Sequence, residues 1–183
     1  MLKYPDMMRN TMLAWRIMRL RYTSPFERRP GIVAWLLNQS YVELVEDEPE
    51  IWESEKKIWE QSDRSVFANP DTIGACTFLS WCGTDIVGFF CFDPRPWPAR
   101  GIIVHNCILP EFRGQGFGKQ QIREILRRFE DAGVAIAEVS TNDHPFFVPA
   151  QRMYAACGFR EVERLPWDRD PMRNMIYYEM ELG

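Results

Sequence analysis

The chain has 183 residues, one domain's worth, and its 46% hydrophobic and 26% charged residues exclude a disordered, collagen-like or coiled-coil polypeptide. Such a chain buries roughly 70% of the surface its unfolded form exposes and needs no covalent staples. The net charge of −4 and a pI near 5.3 exclude a nucleic-acid binder held by a basic surface, and 14% aromatic residues, with seven Trp and twelve Phe, point to a large core and to rings that also line a cleft.

Residues 1–16 interleave Met with Arg and read as a leader ahead of a single domain over residues 17–183; they lack the unbroken apolar stretch of a signal peptide. No uncharged run reaches the roughly 18–20 residues that span a bilayer, so no membrane span is expected. Residues 17–23 alternate, with Met18, Leu20 and Tyr22 on one face, which predicts a strand. Pro30 opens a helix at its first position, carrying Ile32, Val33, Trp35, Leu36 and Leu37. A second helix begins near Glu48 and Pro49 and sets Ile51, Trp52, Glu55, Ile58 and Trp59 on one face. Residues 75–82 and 86–92 form a hairpin about Gly83, Thr84 and Asp85. Pro94, Pro96 and Pro98 stiffen a loop around Trp97, and residues 101–109 form the next strand. An amphipathic helix carries Ile122, Ile125, Leu126 and Phe129 and ends at Gly133. Then follow a strand over 134–141, a loop with Asp143, Pro145 and Pro149, a short helix over 149–157, and strands over 159–166 and 174–182. The expected fold class is α/β, with a mixed, mostly antiparallel sheet and one central βαβ crossover. The five cysteines, Cys76, Cys82, Cys91, Cys107 and Cys157, contain no C-x-x-C pair and sit at no metal-ligand spacing from His105 or His144. They read as small buried residues of a cytoplasmic protein, without metal.

The segment that carries chemistry runs from Leu109 to Lys119, between a strand and a helix. Glycines at 114, 116 and 118 let the backbone turn tightly and aim N–H groups into one concavity, to which the helix adds the positive end of its dipole. This is an anion site suited to phosphate. A dinucleotide fingerprint would need Gly at 119 or 121, where Lys119 and Gln121 stand, and a Walker loop would need Gly at 119 before a Lys; neither fits. What remains is Arg113-x-x-Gly116-x-Gly118.

In these residues the chain resembles the GNAT family of acetyl-CoA-dependent N-acetyltransferases, whose turn reads (Gln/Arg)-x-x-Gly-x-(Gly/Ala). Tyr154-Ala-Ala-Cys-Gly158-Phe159 is similar to the family's Tyr-x-x-x-Gly-Phe, one helix and one strand downstream. The resemblance covers about residue 17 to the end and implies the acyl-CoA N-acyltransferase fold. It further implies that the backbone of Gly114, Gln115, Gly116, Phe117, Gly118 and Lys119 binds the CoA pyrophosphate with help from Arg113. Asn106, Cys107 and Ile108 would pair with the pantetheine arm, an amide there polarising the thioester carbonyl. Tyr154 would protonate the departing thiolate as the amine attacks in a ternary complex. Asn142 corresponds to a family cofactor contact, although the loop between it and Tyr154 is longer than in many members. The proton of the acceptor amine needs a base, for which Glu138, His105, Asp143, His144 and Glu43 are candidates.

The acceptor is expected to be an amine of a small molecule or peptide, with the chain acting as a monomer or homodimer. Segment 43–60 carries eight acidic residues and a net −6, against +2 for the remainder, and suggests a cationic acceptor. Arg113, Lys119, Arg123, Arg127 and Arg128 suit the CoA phosphates. Two alternatives share the fold: a non-catalytic CoA-binding or regulatory module, and an acyltransferase using longer acyl-CoA.

Overall fold

The computed structural model describes residues 19–183; the expected leader and Met18 lie outside the described residues. Seven strands form one sheet in the order β1-β2-β3-β4-β5-β7-β6. They are β1 (Arg21–Thr23), β2 (Thr77–Cys82), β3 (Asp85–Asp93), β4 (Arg100–Ile108), β5 (Ile136–Asn142), β6 (Arg160–Trp167) and β7 (Asp170–Glu181). Every neighbouring pair is antiparallel except β4 and β5. The helix α5 (Phe117–Asp131) makes the single crossover between those two parallel strands. Before β2 come α1 (Ile32–Ser40), α2 (Val42–Asp47), α3 (Pro49–Trp52) and α4 (Glu55–Ala68); α6 (Val148–Ala156) precedes β6.

Helices cover both faces of the sheet, so the central strands bury both sets of alternating side chains. On β3, Phe89 and Cys91 pack with Val33, Leu36 and Leu37 of α1 and Trp59 and Val66 of α4. Phe90 and Phe92 point the other way, to Ile122, Ile125 and Phe129 of α5. That is why residues 86–92 read as a continuous apolar run rather than an alternating one.

The expected elements appear, but the first strand is only Arg21–Thr23, a short helix, α2, stands where none was expected, and other bounds differ. The first helix begins at Ile32, not at Pro30, because Gly31 takes a left-handed φ of 101° and stands as its N-cap. The second helix is divided, because Ser54 Oγ donates to Ile51 O at 3.1 Å and the long helix restarts at Glu55. Ile58 therefore leaves the expected buried face and is 39% exposed, while Trp52 and Trp59 stay buried. Finally, β7 starts at Asp170, ahead of the expected 174.

The site is positioned by a departure from regular pairing. Strands β4 and β5 pair only from Arg100 with Ile136 to Ile103 with Val139. Beyond that point β4 stays on β3 and β5 stays on β7, so the two strands part and leave an open edge between them. A bulge helps: the β3 partner steps from His105 to Ile103 across Cys91 and Phe92, leaving Val104 as the extra residue.

Candidate active site

The parted strands floor a cleft of about 1260 Å³. Its walls are the glycine turn and the first turns of α5 at one end, β4 residues 104–108 and β5 residues 140–142 in the middle, and α1, α3, α4 and the 145–147 turn at the other end. The volume exceeds the roughly 300–1,000 Å³ of a site for one drug-sized ligand, and leaves room for two substrates side by side.

At the glycine end, Gly114 and Gly116 have φ of 74° and 84°, and a methyl on either would meet nothing within 4 Å. Glycine is required there by conformation, and the space beside it is open. Gly118 is required by packing: a Cβ would lie 2.7 Å from Met153 Sδ on α6. The N-cap of α5 is Gly116, which has no side chain to cap with, and Gly118 and Lys119 of the first turn line the cleft at the positive end of the helix dipole. Lys119 and Arg123 reach the same wall. Arg127 and Arg128 do not; both pair with Glu124, and Arg128 lies 3.7 Å over Phe78.

In the middle, Asn106, Cys107 and Ile108 line the cleft from β4, and Tyr154 faces them from α6. Tyr154 is 5% exposed, packs edge-on to Phe159 and tilted on Tyr178, and burial holds its phenol well above its ordinary pKa, so it keeps its proton at neutral pH. Cys107 Sγ lies 3.3 Å from Tyr41 Oη, and burial pushes its thiol up to about 11. A thiol held neutral in this way is a poor nucleophile. Asn106 leaves its Oδ1 buried without a partner, and its Nδ2 contacts Met153 Sδ at 3.8 Å.

The family model for the acetyltransferase (GNAT) family matches residues 38–159. The chain belongs to that family. Among solved structures it is similar to a GNAT-family protein from Desulfovibrio desulfuricans, at TM-score 0.68 and 16% identity over 90% of this chain and 99% of that one. It is also similar to an acetyltransferase from Bacillus subtilis in complex with CoA, at TM-score 0.60 and 16% identity over 91% and 99%. A third is the ribosomal-protein-S18-alanine N-acetyltransferase from Escherichia coli, at TM-score 0.58 and 12% identity over 90% and 94%. At these identities the likeness is one of fold. No curated protein matches the sequence significantly.

Within this GNAT fold, the cofactor residues expected from the sequence, Asn106, Cys107, Ile108, Arg113, Gly114, Gln115, Gly116, Phe117, Gly118, Lys119 and Asn142, all line the one cleft with Tyr154. Two have commitments the sequence does not reveal. Arg113 donates to Ser40 O and to Ile108 O, pairs with Glu43 at 2.5 Å and lies 5.1 Å over the ring of Phe146. Its guanidinium therefore bridges from the glycine turn to the opposite wall. Asn142 accepts from His144 N at 2.8 Å, and its Nδ2 is buried without a partner.

Of the five candidate bases, His105 alone lines the cleft. Burial lowers its pKa to about 4, so it is neutral at pH 7. Glu138 pairs with Arg100; Asp143 accepts from the backbone and side-chain amides of Asn174; Glu43 is held by Arg113. His144 accepts from Phe146 N at 3.0 Å and closes the 145–147 turn. The acidic segment is likewise committed: Glu43, Glu48, Glu53, Glu55 and Glu60 pair with Arg113, Arg173, Lys56, Arg169 and Arg64. The expected acidic acceptor side is thus largely neutralised by its own partners. Trp52, Trp59, Phe146 and Phe147 line the cleft, while Trp35 is 49% exposed and stands outside it.

Two residues lining the cleft, Tyr41 and Trp167, carried no sequence signal, and one behind it, Gln121, carried a weak one. Gln121 is fully buried behind β4 and donates to Ser80 Oγ at 2.7 Å and to Cys107 O at 3.4 Å. Its isolated polar position on the apolar stripe of α5 was the one available hint.

Proposed function

We propose that the protein transfers the acetyl group of acetyl-CoA to an amine by direct attack in a ternary complex. The observation that carries this reading is the open edge between β4 and β5, which runs from the glycine turn to Tyr154. Acetyl-CoA fits it: the left-handed turn at Gly114 and Gly116 leaves open space for a pyrophosphate at the N-terminus of α5, with Lys119 and Arg123 alongside. Residues 106–108 of β4 are unpaired on the β5 side and suit an extended arm bearing amides. Asn142, with its unpartnered Nδ2, stands across from them.

The acceptor, an ammonium at neutral pH, first gives one proton to bulk water, and its lone pair then attacks the thioester carbonyl, whose oxygen is held by a β4 backbone N–H. The C–N bond forms, the C–S bond breaks, and sulfur takes the electron pair. Tyr154, still protonated at neutral pH because burial opposes its ionisation, gives its proton to that sulfur. The surplus proton of the amide nitrogen returns to the tyrosinate through water, and His105 is the neutral acceptor placed along the cleft to start that relay. Direct attack is supported over an acetyl-cysteine intermediate, since Cys107 is kept as a thiol. A reducing, cytoplasmic setting belongs to the same reading and is supported by Cys76, Cys91, Cys107 and Cys157, which form no disulfide among the described residues.

Thermal melts with CoA, acetyl-CoA and NADH test the cofactor. Stabilisation by the two CoA species and not by NADH is expected, and no shift with either CoA species overturns the reading. Free-thiol release against an amine panel tests turnover; CoA binding without release on any amine would favour a non-catalytic module. Tyr154→Phe should lower kcat by about 10²-fold or more while keeping the CoA-induced shift. Full kcat across pH in that variant would remove the general-acid role.

A further inference from the structure

Beyond the reactive centre the cleft changes character. Six aromatic side chains, Tyr41, Trp52, Trp59, Phe146, Phe147 and Trp167, reach its wall from three separate stretches of chain. They form one array. The ring of Tyr41 lies 5.5 Å from Trp59, 6.1 Å from Phe146 and 6.2 Å from Phe147. Phe147 lies 5.0 Å from Phe146 and 5.9 Å from Trp52, and Trp52 lies 5.3 Å from Trp167. These are the spacings of rings packed on one another. The array reaches the open edge of β4, because Tyr41 Oη is 3.3 Å from Cys107 Sγ.

The charges bordering this end are already matched. Glu55 and Arg169 line it and pair with each other; Arg113, over Phe146, holds Glu43. Among the described residues the wall offers ring faces and a single carboxylate, Glu55, which Arg169 already holds. A polyamine or amino sugar would lose water from several charges and hydroxyls here without gaining partners. An amine carried on one or two aromatic rings brings a single charge, which ring faces attract, and an apolar body that packs ring on ring. We infer that the acceptor is a monoamine with an aryl body, its ring seated in this array and its amine presented between Cys107 and Tyr154. This rests on the acetyl-transfer reading above and adds the acceptor class to it.

The test uses the full chain with three amines: phenylethylamine, hexylamine of like charge without a ring, and spermidine. Thiol release at saturating acetyl-CoA should give phenylethylamine a kcat/KM about tenfold above hexylamine, with spermidine lower than both. Phe147→Leu should bring the phenylethylamine-to-hexylamine ratio toward one; an unchanged ratio in a folded variant counts against the array. A second readout needs no turnover: phenylethylamine should quench the tryptophan fluorescence of the CoA-loaded protein saturably. Preference for spermidine, or no phenylethylamine binding to the CoA-loaded chain, overturns the inference while leaving acetyl transfer intact. If CoA itself fails to shift the melt, the acetyl-transfer reading falls and this inference falls with it, a result distinct from a CoA-loaded chain that does not bind phenylethylamine.

Discussion

Gly116 and Gly118 stand two residues apart and are glycine for different physical reasons. At Gly116 the backbone holds φ at 84°, a region that costs an L residue roughly 1–2 kcal/mol, and no neighbour lies within 4 Å of an added Cβ. Gly116→Ala should therefore lower the melting temperature by about 2–8 °C and raise the KM for acetyl-CoA by more than that loss explains, because the methyl enters the space proposed for pyrophosphate. At Gly118 the conflict is with Met153 Sδ at 2.7 Å. The melting loss of Gly118→Ala should be recovered when Met153→Ala is added, while the loss of Gly116→Ala should not. A double-mutant cycle by thermal unfolding checks this, and equal behaviour of both glycines toward Met153 would refute the distinction. The sequence displays the glycine spacing but cannot separate these roles, since Met153 is on another helix. Arg113 teaches the same lesson: its place in the motif was legible, whereas its bridge to Ser40, Glu43 and Phe146 depends on contacts formed only by folding.

At the scale of elements, periodicity located the strands and the long helix α5, because those segments bury regular faces. It failed where a capping group comes from afar. The helix α1 begins at Ile32, and its N-cap, Gly31, has no side chain to cap with. Its cap is the buried Asp63 on α4, whose Oδ2 accepts from Gly31 N at 2.7 Å and whose Oδ1 accepts from Val33 N at 2.9 Å. A carboxylate at a helix N-terminus satisfies orphan donors and complements the dipole. Hydrogen bonds to a charged group contribute about 1.5–3 kcal/mol, so Asp63→Ala should lower the melting temperature by about 3–12 °C. Asp63→Asn, which keeps one acceptor oxygen, should lose less. Because α1 leads directly into Ser40 and Tyr41, the Ala variant should also raise the acceptor KM more than the acetyl-CoA KM. A melting temperature unmoved by Asp63→Ala would show that the cap is dispensable.

Across the whole molecule, the acidic segment, conspicuous in the sequence, fastens the helices before β2 to the rest of the chain through Arg113, Arg169 and Arg173. Glu48 shows how. It accepts from Arg173 of β7 at 2.5 and 2.7 Å and from Trp52 Nε1 at 3.3 Å, with His144 at 3.5 Å, so it joins the α2–α3 corner to two other parts of the chain. Arg173 draws its pKa down to about 2. The unfolded chain then binds its proton first, and the stability Glu48 contributes above pH 4.5 is lost as pH falls toward 2. His105 acts in a higher window. Burial lowers its pKa to about 4 from an ordinary 6.5, so unfolding is favoured by protonation as pH falls from 6.5 to 4. The carboxylates lowered in the folded chain, Glu48, Asp93, Glu124 and Asp143, act below about pH 4.5 and leave the upper window to His105. Melting temperature should therefore fall in two stages on acidification. His105→Asn should flatten the stage between pH 6.5 and 4.5, and Glu48→Gln the stage below it. A wild-type melting temperature that is level from pH 6.5 to 4.5 would mean that His105 is solvated when folded, and would remove it from the proton relay as well.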